Sequence, residues 1–120
     1  MPPLVVGGQA FIIRTARRGG ACLAHAQRAE TGDRFGADVT GATEADAVAG
    51  VTRWLEWQRD HALALEALQE AERIYHRSVA DLAFAPRERD DARLRARRES
   101  LELVESARGR LDEVRVRRPS

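Results

Sequence analysis

At 120 residues the chain has room for one domain and hardly two, and a hydrophobic fraction of 43% excludes wholesale disorder. Nineteen acidic against 20 basic residues leave a net charge of +1, which gives no global drive toward nucleic acid or a membrane surface. The single cysteine, Cys22, excludes an internal disulfide and a cysteine-based metal cluster.

The apolar content is unusual in kind: alanine supplies much of it, and aromatics are only 5%. Alanine favours helix but adds little apolar area per residue, so close-packed helix pairs are expected rather than a thick core. Every basic residue is arginine. Together with the alanine excess, this points to the codon usage of a GC-rich bacterial genome. Met1 to Ala10 has neither the basic region nor the apolar run of a signal peptide. No stretch approaches the roughly 18 apolar residues of a membrane span, so a cytoplasmic location is expected.

Residues 1–8 hold two prolines and two glycines and read as a loose N-terminal lead-in to a single domain over 9–120. From Phe11 to Arg17 the pattern alternates, with Phe11, Ile13 and Thr15 on one face, which predicts a strand. Gly19-Gly20 suits a tight hairpin turn, and Ala21 to Gln27 reads as the return strand. A second turn at Thr31-Gly32-Asp33 leads to a third strand from Arg34 to Thr40, with Phe35, Ala37 and Val39 on one side. Residues 9–42 are thus expected to form a three-stranded antiparallel β-meander.

Thr43, three residues before Asp46, predicts a helix N-cap with acidic charge in the first turn. No proline follows until Pro86, so a first helix is expected over 43–84. Its start should pack on the sheet through Ala47, Val48, Val51 and Leu55. Ala85-Pro86 marks a break, and a second helix is predicted over 87–114, followed by a basic tail at 115–120. The short connection implies an antiparallel helical hairpin. Residues 43–86 carry a net charge of −4 and residues 87–120 a net +3, which favours the pairing. The fold class expected is α+β, mostly helical.

The first helix carries a heptad stripe: Trp54, Trp57, His61, Ala64, Leu68, Ala71, Tyr75, Ser78 and Leu82. A second apolar edge, Leu63, Ala67 and Ile74, lies roughly 100° around the helix. The second helix presents Leu94, Leu101, Val104 and Leu111 beside Ala96, Leu103, Ala107 and Val114. Two apolar edges on each helix predict a four-helix arrangement made by a homodimer, with Trp54, Trp57, His61, Leu68, Tyr75 and Leu82 at the interface. Two alternatives cover the extra edge differently, by the sheet folding back or by an unidentified protein partner.

The residues offer little for catalysis. Glu72 and His76 are four apart, which suits a surface pair better than the Glu-x-x-His spacing of a di-iron bundle. Glu99, Glu102 and Glu105 read as a solvated face. Cys22 lies in a strand with no obvious base, and His25, at odd spacing from it, should face the opposite side. No glycine-rich phosphate loop is present, and nothing assembles a nucleophile, a base and an oxyanion site. The expectation is a non-enzyme without metal or cofactor. The one hint of another partner is the cluster Arg87, Arg89, Arg93, Arg95, Arg97 and Arg98, where a helix start could meet phosphates. Interleaved Glu88, Asp90, Asp91 and Glu99 favour a solvated charged face instead.

The front of the chain resembles the HicB-like antitoxin unit. The residues that carry the likeness are two strands joined at Gly19-Gly20, a third at Arg34 to Thr40, and Gly41-Ala42-Thr43-Glu44-Ala45 leading into a helix. The likeness spans residues 10–58 and none of the helical hairpin. The family's Gly-x-Thr-x-x-Glu-Ala entry has its Glu and Ala one or two residues later, and its proline-rich segment before the glycine is missing here. The resemblance implies a small regulator that binds protein or nucleic acid, such as one that neutralises a toxin.

Overall fold

The computed structural model describes residues 3–84 and 91–119. The elements run β1 (Leu4–Val6), β2 (Gln9–Arg18), β3 (Ala21–Arg28), β4 (Arg34–Gly41), α1 (Glu44–Ala83) and α2 (Asp91–Val116). The fold is α+β with a four-stranded antiparallel sheet in the order β1-β2-β3-β4. Among the described residues no helix is long and apolar enough to cross a membrane.

The expected three-stranded meander is therefore corrected to four strands. Within the expected lead-in, Leu4, Val5 and Val6 pair with Phe11, Ala10 and Gln9. The Gly7-Gly8 pair makes this possible: both residues have positive φ, 60° and 79°, which turns the chain back within two residues. Gly19-Gly20 turns β2 into β3 in the same way, at the position the sequence predicts.

The third turn and the last strand are less regular. The Asp33 N–H donates to the Thr31 Oγ1 at 3.2 Å, closing the turn into β4. Ala24 then pairs with Val39 but Ala26 pairs with Phe35, so two steps along β3 match four along β4. The extra residues form a bulge. It keeps Phe35 and Val39 against the core but leaves Ala37 exposed, against the simple alternation expected for this strand.

Two compact units make up the chain, a sheet unit described over 3–59 and 118–119 and a helical unit described over 60–84 and 91–117. In the sheet unit the start of α1 is capped as predicted: the Asp46 N–H donates to the Thr43 Oγ1 at 3.1 Å. Ala47, Val51 and Leu55, one helical face, join Val6, Phe11, Cys22, Ala24 and Ala26 in one core. Val48 is only half-buried and stands outside that core, while Trp54 packs on its margin. Small residues set the approach of helix to sheet. A Cβ on Gly50 would sit 2.6 Å from Val39 Cγ1, too close for any side chain there.

The helical unit holds the rest of α1 together with α2. Its buried side chains are Ala64 and Ala71 on α1 and Ser100, Val104, Leu111 and Val114 on α2. The α2 positions follow a spacing of four, seven and three, one stripe of a helix. The buried stripe differs from the expected face, since Ser100 is inside while Leu94, Leu101 and Leu103 are exposed. Ser100 satisfies its hydroxyl locally by donating to the Arg97 carbonyl at 2.9 Å, so its burial leaves no polar group unpaired.

Candidate functional site

The six residues expected at an interface lie along α1, and all six are half-buried. Trp54 meets Phe35 edge-on, with ring centroids 5.5 Å apart, and Phe35 in turn contacts Phe11 at 5.3 Å. The indole lies directly over Gly36 in the β4 bulge; a Cβ there would be 2.5 Å from its ring. Gly36 also has φ 88°, so the bulge needs glycine both for its backbone and for the tryptophan above it. Trp57 receives the Arg118 guanidinium over its ring at 5.5 Å, a cation–π contact. Tyr75 lies 6.0 Å from the ring of His76. His61, Leu68 and Leu82 complete the stripe.

Of the arginines proposed for nucleic acid, Arg93 is half-buried and Arg97 exposed, while Arg87 and Arg89 lie outside the described residues. Arg95 and Arg98 are exposed, and so are Glu99, Glu102 and Glu105. Cys22 is buried in the sheet core, and His25 stands on the opposite face, as their odd spacing implies. Among the described residues no three His, Cys, Asp or Glu side chains converge as a metal site would require.

A polar network not expected from the sequence lies on the sheet face turned away from α1. Arg14 Nε donates to Gln27 Oε1 at 3.5 Å, and Gln27 Nε2 stands 3.4 Å from His25 Nε2. On the other ring nitrogen, His25 Nδ1 lies 3.6 Å from Asp38 Oδ1, which also pairs with Arg34. The chain Arg14–Gln27–His25–Asp38–Arg34 thus crosses three strands. Register alone brings these residues together: Arg14 faces His25 across β2 and β3, and the bulge carries Asp38 alongside. A signal for it was present, because Arg14, His25 and Gln27 all occupy the outward phase of their strands.

A shallow groove of about 420 Å³ lies between β4 and the first turns of α1. Asp38, Asp46, Arg53 and Trp54 line it, with Pro119 at one side. Both signs of charge meet there, so the groove favours no one ligand charge.

The sheet's two outermost strands are blunted, although β2 runs on from Ile12 to Arg18 past its pairing with β1. β1 has only three residues, and β4 is interrupted by its bulge and by the charged pair Arg34–Asp38. Short, bulged and charged edges resist strand addition. The helical unit is different. Among the described residues eight large apolar side chains are exposed, and seven of them, Leu63, Val79, Phe84, Leu94, Leu101, Leu103 and Val116, belong to residues 60–117. No family model, curated protein or solved structure matches the chain.

Proposed function

We propose that the chain is a non-catalytic interaction and assembly protein that pairs with a second copy of itself through its helical unit. The observation that carries this reading is the distribution of apolar side chains in that unit. Leu63, Leu94, Leu101 and Leu103 stand in solvent while Ala64, Ala71 and Ser100 are inside. Val104, Leu111 and Val114 are inside as well, but the large apolar groups left outside forgo part of the available burial energy in a single chain, and a partner would recover it. In this reading α1 and α2 form an antiparallel hairpin, and two hairpins complete a four-helix arrangement. The stripe from Trp54 and Trp57 through His61, Leu68 and Tyr75 to Leu82 contributes its half-buried residues to that assembly. The protein then works in the cytoplasm, where the thiol of Cys22 stays reduced.

Light scattering coupled to size exclusion, across a dilution series, tests the reading. The expected mass is twice 13.3 kDa, falling to the single-chain mass in Leu68→Asp and in Leu101→Asp. A wild-type chain that stays at 13.3 kDa at every concentration overturns it.

A second reading, a small regulator of the HicB-like kind, draws on the exposed arginines Arg95, Arg97 and Arg98 near the described start of α2. Such a protein would contact nucleic acid or a toxin there. Loss of nucleic-acid binding in an R95A/R97A/R98A variant would support it.

A further inference from the structure

β2 is longer than the strand that pairs with its outer side. β1 covers only Gln9, Ala10 and Phe11, while β2 continues to Arg18. The residues before Leu4 include two prolines, which have no N–H to give a ladder. On the inner side β3 pairs with β2 from Phe11 to Arg18, and β4 flanks β3 as far as Cys22–Gly41. Among the described residues no strand stands beside β2 from Ile12 onward on the β1 side.

The ladder fixes where the backbone groups of that stretch point. The Ala29 N–H donates to the Ala10 carbonyl at 3.0 Å, and Arg18 pairs with Ala21 across the two-residue turn. Even-numbered residues of β2 therefore turn their N–H and C=O toward β3, and odd-numbered residues turn theirs away from it. β1 takes up those of Gln9 and Phe11. The N–H and C=O groups of Ile13, Thr15 and Arg17 are left along an open edge, with no ladder partner among the described residues.

Side chains differ between the two faces of this edge. On the core face Ile13 packs against the core, Thr15 Oγ1 donates to Glu44 Oε1 at 3.1 Å, and Arg17 is exposed. On the outward face Arg14 and Arg18 are exposed to either side of Ala16, which has Leu23 of β3 beside it. No acidic residue precedes Glu30, so neither β2 nor β3 brings a carboxylate to the outward face. Asp38 lies beyond them on β4, engaged by Arg34 and His25.

We propose that the open edge of β2, Ile13 to Arg18, takes up an acidic extended segment of a partner protein as an added antiparallel strand. Backbone hydrogen bonds supply the attachment, and the arginines select the occupant. A second β2 is disfavoured. The register that joins all the open groups of two copies is centred on Thr15, and it gathers Arg14 and Arg18 of both on one face, where like charges repel. Carboxylates opposite Arg14, Arg17 and Arg18 relieve that charge instead. Glu44 disfavours a carboxylate opposite Thr15, and Ile13 favours an apolar residue opposite itself. Read antiparallel from Arg18 to Ile13, the occupant is acidic, acidic, neutral, neutral, acidic, apolar. The edge belongs to the sheet unit, so the proposal stands apart from assembly through the helical unit.

The probe is the fluorescein-labelled peptide Glu-Glu-Thr-Val-Glu-Val, amidated at its C-terminus, followed by anisotropy as the full-length chain is added at low salt. Binding is expected, together with slowed hydrogen exchange at the Thr15 and Arg17 amides. Thr15→Pro removes an outward N–H without touching the β2–β3 ladder and should weaken binding by roughly tenfold or more. Thr15→Val keeps that N–H and should stay within about twofold of wild type. R14E/R18E should weaken binding by about tenfold or more through charge reversal. Circular dichroism checks that each variant folds. A peptide N-methylated at its second and fourth residues, tested on the wild-type chain, should not bind, and no folding defect can imitate that result. The proposal is overturned if the parent peptide does not bind, if the N-methylated peptide binds equally well, or if folded Thr15→Pro binds like wild type. A mixed-sequence DNA duplex that displaces the peptide and binds Thr15→Pro as well as wild type also overturns it, by assigning the arginines to phosphates. So does a wild-type dimer that Thr15→Pro reduces to single chains, which would seat a second copy on this edge.

Discussion

The sheet unit and the helical unit solve the problem of an alanine-rich chain in opposite ways. In the sheet unit the large apolar groups go inside: Phe11, Val51 and Leu55 are buried, and Phe35, Trp54, Ile13 and Val39 close over them. Among the described residues its one exposed large apolar side chain is Val5. In the helical unit alanine and serine take several of the central positions beside Val104, Leu111 and Val114, while Leu63, Leu94, Leu101 and Leu103 remain outside. A sheet with a helix across one face has a definite inside, and alternation assigns each residue to it. A helix surface has several apolar flanks, and the neighbours within one chain cover only some of them. Among the described residues, all the exposed large apolar side chains but Val5 thus belong to one unit, which is where assembly is proposed.

The largest expected effect comes from cutting into the well-filled core. Leu55→Ala removes a side chain that is 2% exposed and should lose about 2–5 kcal/mol in urea unfolding followed by far-ultraviolet circular dichroism. A loss under 1 kcal/mol would mean that the sheet unit is no better packed than the helical one. Gly36→Ala comes next. It places a Cβ 2.5 Å from the Trp54 ring at φ 88°, and a loss of roughly 1–3 kcal/mol is expected, with a shift in tryptophan fluorescence as the indole moves. An unchanged emission spectrum would show that the bulge yields without disturbing Trp54. The smallest effect is Leu103→Ser. At 53% exposure its loss should alter the unfolding free energy of the dilute chain by no more than about 0.5 kcal/mol. The same variant should weaken self-association in the dilution series, and that divergence between stability and assembly is what separates an outward leucine from a core one.

Much of the architecture was legible in local chemistry. Alternation at Phe11, Ile13 and Thr15, the Gly19-Gly20 turn and the Thr43 cap lie where the sequence places them, because each depends on neighbours a few residues away. β1 was missed because two prolines and two glycines look like a loose segment, yet the same glycines make the turn that pairs Leu4 with Phe11. The candidate surfaces divide in the same way. The α1 stripe from Trp54 to Leu82 shows in its spacing. The network of Arg14, Gln27, His25, Asp38 and Arg34 does not, since its members are up to 24 positions apart and meet only through strand register.

By itself the sequence determined the α+β class, the sheet's hairpin and the long first helix, since backbone conformation follows from propensity, turn chemistry and period. Tertiary structure alone decided the fourth strand, the bulge that seats Trp54, and the choice of Ser100 over Leu101 for the inside of α2. The physical reason is that burial is a property of what lies opposite a residue. Ser100 can pair its hydroxyl with the Arg97 carbonyl in its own helix and fill a narrow space. Leu101, one residue on, is turned about 100° away, and a gain in apolar area cannot bring it back without rotating the whole helix.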